Sequence, residues 1–382
     1  MVTIDDTQPI ARVPRRRRTV LRVLAVALVL LLGSAGLVVE QALSAPGNDP
    51  APAKLAEWAR DNGLSGFVTW LEGVKYEAEQ PAVGGTPPGG IPTASGVEKP
   101  APGRTFGDGD LPLAPVAGGP PLPGEGRWQT VVTAHGRPAV QVTALRPDGQ
   151  HTSYVVGVLR MDPTLVRGQL HPGSRDPGGT WKASFGLTTA EQRAVAVVFN
   201  GGFRLNDPSH NGYFSEGRTV APLRAGAASL VLRTDGTADV GTWNGEVRMG
   251  PQVASVRQNL QMLVDGGRVN TTCATGGTKE WGSTIGQAAY IHRSGFGVTA
   301  SGAEVYVGGP ALSVCTLGRI LADAGVVRGM ELDINPAWVS GAYFHDNPSG
   351  TPTAFALFPA EKVSPTHYLS PSSRDWYSWS LR

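Results

Sequence analysis

Three short stretches of the chain carry side chains able to do chemistry. The first is Ala194-Val195-Ala196-Val197-Val198-Phe199-Asn200-Gly201-Gly202-Phe203, in which an apolar run stops at an amide and two glycines. Small and β-branched residues in an unbroken run read as a strand buried on both faces, and the glycines let the backbone turn or approach a ligand closely. Asn200 then stands at the rim of a core with donors and acceptors to offer. The second is Met330-Glu331-Leu332-Asp333-Ile334-Asn335-Pro336. In a strand, period two places Glu331, Asp333 and Asn335 on one face. Neighbours on that face are about 6.6–6.8 Å apart, close enough for two carboxylates to perturb each other into acid and base roles. A strand with one solvated face is the plainer reading. The third is Tyr290-Ile291-His292-Arg293-Ser294-Gly295-Phe296-Gly297, where an apolar strand delivers Arg293 into a glycine-containing turn. Its planar, permanently charged fork suits phosphate or carboxylate oxygens, although a surface arginine in a hairpin fits the local sequence equally well. His292 reads as an ordinary half-buried histidine. The other histidines, His345 beside Asp346 included, show no ligand spacing, and neither metal nor cofactor is expected.

The elements that would hold these residues are mostly strands. From Arg127 onwards, short apolar segments alternate with turn chemistry at Pro147-Asp148-Gly149, Thr234-Asp235-Gly236, Asp265-Gly266-Gly267 and Ser301-Gly302, the pattern of β-hairpins. Strands are expected at Trp128–Thr133, Val140–Leu145, Ser153–Leu159, Ala194–Phe199, Ala228–Arg233, Ala238–Trp243, Met262–Val264, Ala288–His292, Gly297–Thr299, Glu304–Val307 and Gly329–Ile334. Helices are few: Thr188 to Glu191 has the capping-box spacing, and Thr316 is placed to cap a helix burying Leu317, Ile320, Leu321 and Ala324, ended by Gly325. The fold class expected is α+β, a β-rich mixed sheet with a few helices packed on it, over residues 127–382. The terminal Asp375-Trp376-Tyr377-Ser378-Trp379 reads as aromatic residues docking the end of the chain, with stacking on sugars as the alternative.

The preceding residues divide by composition. Arg12, Arg15 to Arg18 and Arg22 precede Val23 to Val39, an uncharged apolar segment. This predicts a cytoplasmic basic tail (1–19) and a single-pass signal anchor (20–39) that places the rest outside the cytoplasm. Cleavage near Ala42-Leu43-Ser44 is the competing reading. Residues 40–80 carry Leu55, Trp58, Phe67, Trp70, Leu71 and Val74 at helical spacing, a helical pair broken at Asn62-Gly63 that packs on the domain or near the membrane. Residues 81–126 are Pro/Gly-rich and read as an extended linker. The net charge of +2 conceals +4 over residues 1–22, so the remainder is slightly acidic and nucleic-acid binding is not indicated. Glycine (51) and proline (31) make up about a fifth of the 382 residues, as a turn-rich chain requires. Cys273 and Cys315 fall in the exported part, where a disulfide is permitted. It would close a loop of about 40 residues and stabilise by about 3–4 kcal/mol; two free thiols are the alternative.

The order of pieces resembles the phosphodiester glycosidase family, the N-acetylglucosamine-1-phosphodiester α-N-acetylglucosaminidase-like domains. The pieces are Asn200-Gly201-Gly202-Phe203, Gly217-Arg218-Thr219, Leu263-Val264-Asp265-Gly266-Gly267-Arg268, Arg293-Ser294-Gly295-Phe296-Gly297-Val298, the Thr316 helix and Glu331-Leu332-Asp333. The resemblance spans roughly Ala194 to Trp338, and the anchor and composition look like a bacterial member. It implies hydrolysis between a sugar's anomeric carbon and a phosphodiester, with Asn200, Arg293 and Asp333 as catalytic residues. Arg293 would hold the phosphate, Asp333 would activate water or stabilise the oxocarbenium-like centre, and Asn200 would orient the substrate. Period two adds Glu331 as a second carboxylate, with Gly201, Gly202 and Asn335 contacting substrate. The sequence departs from the family's Leu-Asp-Gly-Gly-Gly-Ser with Leu332-Asp333-Ile334-Asn335-Pro336, and from Thr-Ala-Ile with Ser294-Gly295-Phe296. The expected function is an extracytoplasmic hydrolase acting on a cell-surface glycan or sugar-phosphate polymer; the alternative is a non-catalytic envelope module that binds glycan.

Overall fold

The computed structural model describes residues 33, 36–45, 47–78, 80–107, 109–206, 211–284, 288–345 and 350–382. The basic tail and most of the apolar segment 20–39 lie outside the described residues. Among the described residues no helix is long and apolar enough to cross a membrane. Contacts divide the chain into two units, Met1–Ala45 with Ala51–Leu64, and Pro46–Pro50 with Ser65–Arg382. In the first, residues 36–43 and Ala51–Asp61 are helical, and Lys54 Nζ donates to Ala45 O at 2.7 Å.

The second unit contains three sheets whose strand pairs are antiparallel, so the expected mixed sheet is corrected in that respect. Sheet 1 has the order β1-β2-β3-β14-β13-β15-β11-β12, from β1 (Gln129–Ala134), β2 (Arg137–Leu145), β3 (Val156–Met161), β11 (Met262–Asp265), β12 (Arg268–Val269), β13 (Ile291–Thr299), β14 (Glu304–Leu312) and β15 (Val326–Glu331). Sheet 2 is β7-β6-β10-β8-β9, from β6 (Tyr213–Ser215), β7 (Arg218–Ala221), β8 (Ala228–Arg233), β9 (Ala238–Thr242) and β10 (Val253–Gln258). Sheet 3 is β17-β16-β5-β18-β4, from β4 (Val166–His171), β5 (Val195–Asn200), β16 (Gly341–His345), β17 (Thr353–Ala356) and β18 (Trp376–Leu381).

Local chemistry explains the turns. Gly266 and Gly267 both take positive φ between β11 and β12, as a two-residue hairpin demands. Pro147-Asp148-Gly149 does not close a tight hairpin. Asp148 Oδ1 instead accepts from the backbone of Gln150 and His151, each at 2.7 Å, and starts a ten-residue loop between Leu145 and Val156. The expected strands Ala288–His292 and Gly297–Thr299 are one strand, so Arg293 lies in β13 and not in a turn. A Cβ on Gly297 would sit 2.4 Å from Val326 Cγ1, which is why a glycine occupies the strand interior. The helix Val314–Asp323 starts at Ser313, three residues before the expected cap, because Thr316 serves as the N3 partner of a capping box. The helix Ser65–Ala78 forms, but Phe67, Trp70, Leu71 and Val74 are exposed. Trp376–Leu381, read as a docking tail, is an internal strand of sheet 3 between β5 and β4.

Among the described residues of 81–126 there is no helix or strand, yet the segment does not act as a free spacer. Glu98 Oε2 accepts from Thr133 N and Oγ1, both at 2.7 Å, and Glu125 pairs with Arg146 at 2.8 Å. The Arg160 guanidinium lies 4.3 Å from the Phe106 ring and 4.1 Å from the Trp128 ring. Backbone bonds add to these anchors, Glu98 N to Thr130 O at 2.8 Å and Ala101 N to Gly136 O at 2.9 Å, and proline restricts the competing unfolded states. A disulfide joins Cys273 to Cys315, tying the 3-10 turn Thr271–Ala274 to the helix Val314–Asp323.

One buried carboxyl touches all three sheets. Glu304, in β14, accepts from Ala238 N of β9 at 2.6 Å and from Trp379 Nε1 of β18 at 2.5 Å. Burial raises its pKa to about 7, against the lowering effect of those two donors. A carboxyl that holds its proton more tightly when folded contributes stability that is complete below the unfolded value of 4.5 and is lost as pH rises through about 7. Glu304→Gln is therefore expected to flatten the pH 4.5–7 dependence of the unfolding midpoint. It should also cost about 1–3 kcal/mol, because its amide N–H faces a donor. Urea melts across that range would show an unchanged slope if Glu304 were not responsible.

Candidate active site

Asn200 closes β5 and is held on four sides. Its Nδ2 donates to Gly201 O at 2.7 Å and to Ser294 Oγ at 3.0 Å; its Oδ1 accepts from Tyr306 OH at 2.8 Å and from Ser340 N at 3.1 Å. These contacts use both donors and both lone pairs of the amide. At Gly201 a Cβ would lie 2.5 Å from Asp375 Oδ2, so this glycine admits a carboxylate of the protein itself; at Gly202 the nearest atom would be Asn259 Cγ at 3.3 Å. Arg374 Nη2 donates to Gly202 O at 3.0 Å.

Ser294 joins Asn200 to Asp333. Besides accepting from Asn200, its Oγ accepts from Asp333 N at 3.1 Å and donates to Asp333 O at 3.2 Å. Ser294 also exchanges backbone bonds with two successive residues, its N with Asp333 O and its O with Leu332 N, each at 2.8 Å. Two residues opposing one break the alternation, and β15 itself ends at Glu331. The period-two rule therefore does not place Glu331, Asp333 and Asn335 on one face, and the two carboxyls go to different cations. Asp333 Oδ1 accepts from the backbone of Ile334 at 2.7 Å and Asn335 at 2.9 Å, and its Oδ2 lies 3.4 Å from Arg374 Nη2. Asn335, half-buried, starts the following turn by accepting from Ala337 N at 2.9 Å.

Arg293 and Glu331 form a separate buried pair, Nη1 to Oε1 at 2.5 Å, and Arg293 Nε donates to Leu312 O at 3.0 Å. Gly295 stands opposite Glu331 in register, and a Cβ on it would lie 3.1 Å from Leu321 of the helix Val314–Asp323. Arg293, two residues earlier, shares that helix-side face, while Ser294 points the other way to Asn200. The cluster thus has two halves at one end of β13: Asn200, Ser294, Asp333 and Arg374 on one face, Arg293 and Glu331 on the other.

Burial raises the pKa of Asp333, opposed by Arg374 and the two backbone donors, and raises that of Glu331, opposed by Arg293. Glu331 Oε2 has no hydrogen-bond partner among the described residues. Carboxyls shifted upward can carry a proton nearer neutrality, as general-acid chemistry requires. Among the described residues no group of three His, Cys, Asp or Glu could hold a metal ion.

Arg374 was missed in the sequence, as were Arg257, whose Nε reaches Asp375 Oδ2 at 2.8 Å, and Asn259, whose Nδ2 donates to Glu331 O at 2.8 Å and Leu332 O at 2.7 Å. The available signal was Arg374-Asp375 directly before the aromatic-rich Trp376–Leu381. It mirrors Asn200 at the end of its own run, and Trp376 pairs with Asn200 in the sheet.

No protein-family profile matches the sequence, and no curated protein matches it. Solved structures give distant likenesses. The zebrafish N-acetylglucosamine-1-phosphodiester alpha-N-acetylglucosaminidase catalytic domain, auto-inhibited by its pro-peptide, is 14% identical with a TM-score of 0.42, covering 67% of this chain and 87% of that one. A hypothetical protein from Synechocystis is 15% identical with a TM-score of 0.36 over 65% of this chain and 63% of that one. A protein from Burkholderia pseudomallei described as exported is 13% identical with a TM-score of 0.28 over 60% and 74%.

The paired Arg293 and Glu331 make a direct prediction. Arg293→Met leaves a buried carboxyl without its cation and is expected to destabilise the fold by about 3–5 kcal/mol in denaturant melts. The double variant Arg293→Met, Glu331→Met should recover most of that loss. Equal losses in the single and double variants would show that the pairing is not what the fold depends on.

Proposed function

We propose that the protein is a membrane-anchored, extracytoplasmic hydrolase that cleaves a sugar-1-phosphodiester linkage in a cell-surface glycan or polymer. The observation that carries this reading is Asp333: a buried carboxyl of raised pKa, oriented by two backbone donors, set beside Arg374 and joined through Ser294 to Asn200. Phosphate is a good leaving group, so the site needs a cation for its charge and a carboxyl for water or the sugar's developing positive charge. In this proposal Asp333 supplies the carboxyl and Arg374 the nearest guanidinium. Arg293, expected to hold the phosphate, is instead matched by Glu331 on the opposite face of β13.

A second reading, a glycan-binding envelope module without catalysis, is favoured by the occupied hydrogen-bonding positions of Asn200 and by Pro336, which removes a backbone donor.

The test is turnover of a panel of nitrophenyl sugar 1-phosphodiesters by the full chain in detergent, beside Asp333→Asn and Arg374→Ala. Losing an electrostatic partner of the transition state is expected to lower kcat by about 10²–10³-fold. Equal turnover in wild type and variants would sink these assignments. Binding without turnover across the panel would establish the module reading.

A further inference from the structure

The helix Ser65–Ala78 turns apolar residues outward although its other side is already attached. Val68 is buried, and Tyr76 OH donates to Tyr290 O at 2.8 Å, which fixes the inner face. On the outer face Phe67, Trp70, Leu71 and Val74 are 57%, 61%, 52% and 48% exposed. They follow the i, i+3, i+4, i+7 spacing of one helical stripe, and the Phe67 and Trp70 rings lie side by side at 5.9 Å between centroids. A docked helix ordinarily shows water its polar side, so a contiguous apolar stripe with two aromatic rings marks a surface with a partner.

We propose that this stripe lies in the interfacial region of the lipid bilayer that holds the chain, making Ser65–Ala78 a second, in-plane membrane contact. The proposal rests on the anchor reading of residues 20–39. The argument for lipid over another occupant is the sequence between them: 25 residues separate Val39 from Ser65, and eleven of these form the helix Ala51–Asp61. At about 3.5 Å per extended and 1.5 Å per helical residue, the stripe cannot stand more than roughly 65 Å from the end of the apolar segment. A tethered surface meets the bilayer at high effective concentration, so a modest intrinsic affinity suffices. Tryptophan and phenylalanine on an apolar face suit the headgroup boundary, where such helices sink about 5–10 Å. The helix carries Glu72 and Glu77 against Lys75, so attraction to anionic lipid is not the driving term and contact should be insensitive to salt.

The experiment uses the full chain in phosphatidylcholine liposomes, with single cysteines at Trp70, Leu71 or Thr69 carrying an environment-sensitive fluorophore. Thr69 is exposed on a different side of the helix and serves as the aqueous control. The expected result is strong quenching of labels at 70 and 71 by nitroxide-bearing lipids, weak quenching by iodide and the reverse at 69, unchanged between 50 mM and about 500 mM salt. Iodide quenching at 70 and 71 equal to that at 69 overturns the proposal. So does shielding from both quenchers, which would identify a protein partner such as a second copy. Alkaline extraction of the same liposomes reports the anchor separately: release of the chain defeats the anchor reading, whereas retention with water-exposed labels defeats only the helix contact.

Discussion

The position of the candidate site depends on Tyr306, whose ring belongs to the core and whose hydroxyl belongs to the site. The ring stacks on Phe199 with centroids 4.4 Å apart, and Phe199 in turn lies 4.6 Å from Trp379 and 5.6 Å from Phe296. These residues come from β14, β5, β18 and β13, so the cluster is the contact between sheets 1 and 3. Aromatic pairs of this kind contribute about 0.5–1.5 kcal/mol each beyond the area they bury. The hydroxyl meets Asn200 Oδ1 at 2.8 Å and Ser340 O at 2.9 Å. Any shift between the two sheets would therefore move Asn200 relative to Ser294 and Asp333. Packing and site geometry are fixed by the same side chain.

Legibility in the sequence followed the physics of each element. β5 and Asn200 were readable because an apolar run ending in an amide and two glycines is a local pattern, and β8 was placed to the residue because turn chemistry brackets it. β18 was not, since aromatic residues near a terminus look alike whether they dock or pair, and only the partner strands distinguish the cases. β13 was cut in two by its own glycines. Gly295 and Gly297 mark close approach by Leu321 and Val326, contacts across more than twenty residues that no window reveals. At the site, Asp333 and Glu331 were readable as carboxyls near a strand exit. Their assignment to separate cations was not, because a two-against-one register with Ser294 is set by the neighbouring strand.

The buried charged residues also argue about purpose. Arg257 with Asp375, Arg374 with Asp176 and Asp333, and Arg293 with Glu331 are all buried. Removing charges from water costs several kcal/mol per ion, and apolar replacements of similar volume are often neutral or stabilising. Stability is therefore a weak reason for three such groups; what each visibly does is fix geometry, since Arg257 ties β10 to Asp375, Arg374 reaches Asp333, and Arg293 holds Glu331 on the helix side of β13.

Ser294 is the residue through which Asn200 and Asp333 hold one another in place. Its hydroxyl has one proton, given to Asp333 O, while accepting from Asn200 and from Asp333 N. Turning that hydroxyl away would forfeit all three bonds inside a buried cluster, so the serine fixes Asn200 from one end while Tyr306 and Ser340 hold the other. The amide is therefore set from β13, from β14 and from the residue that leads into β16 at once, and the Asp375 carboxylate packed against Gly201 closes the remaining side.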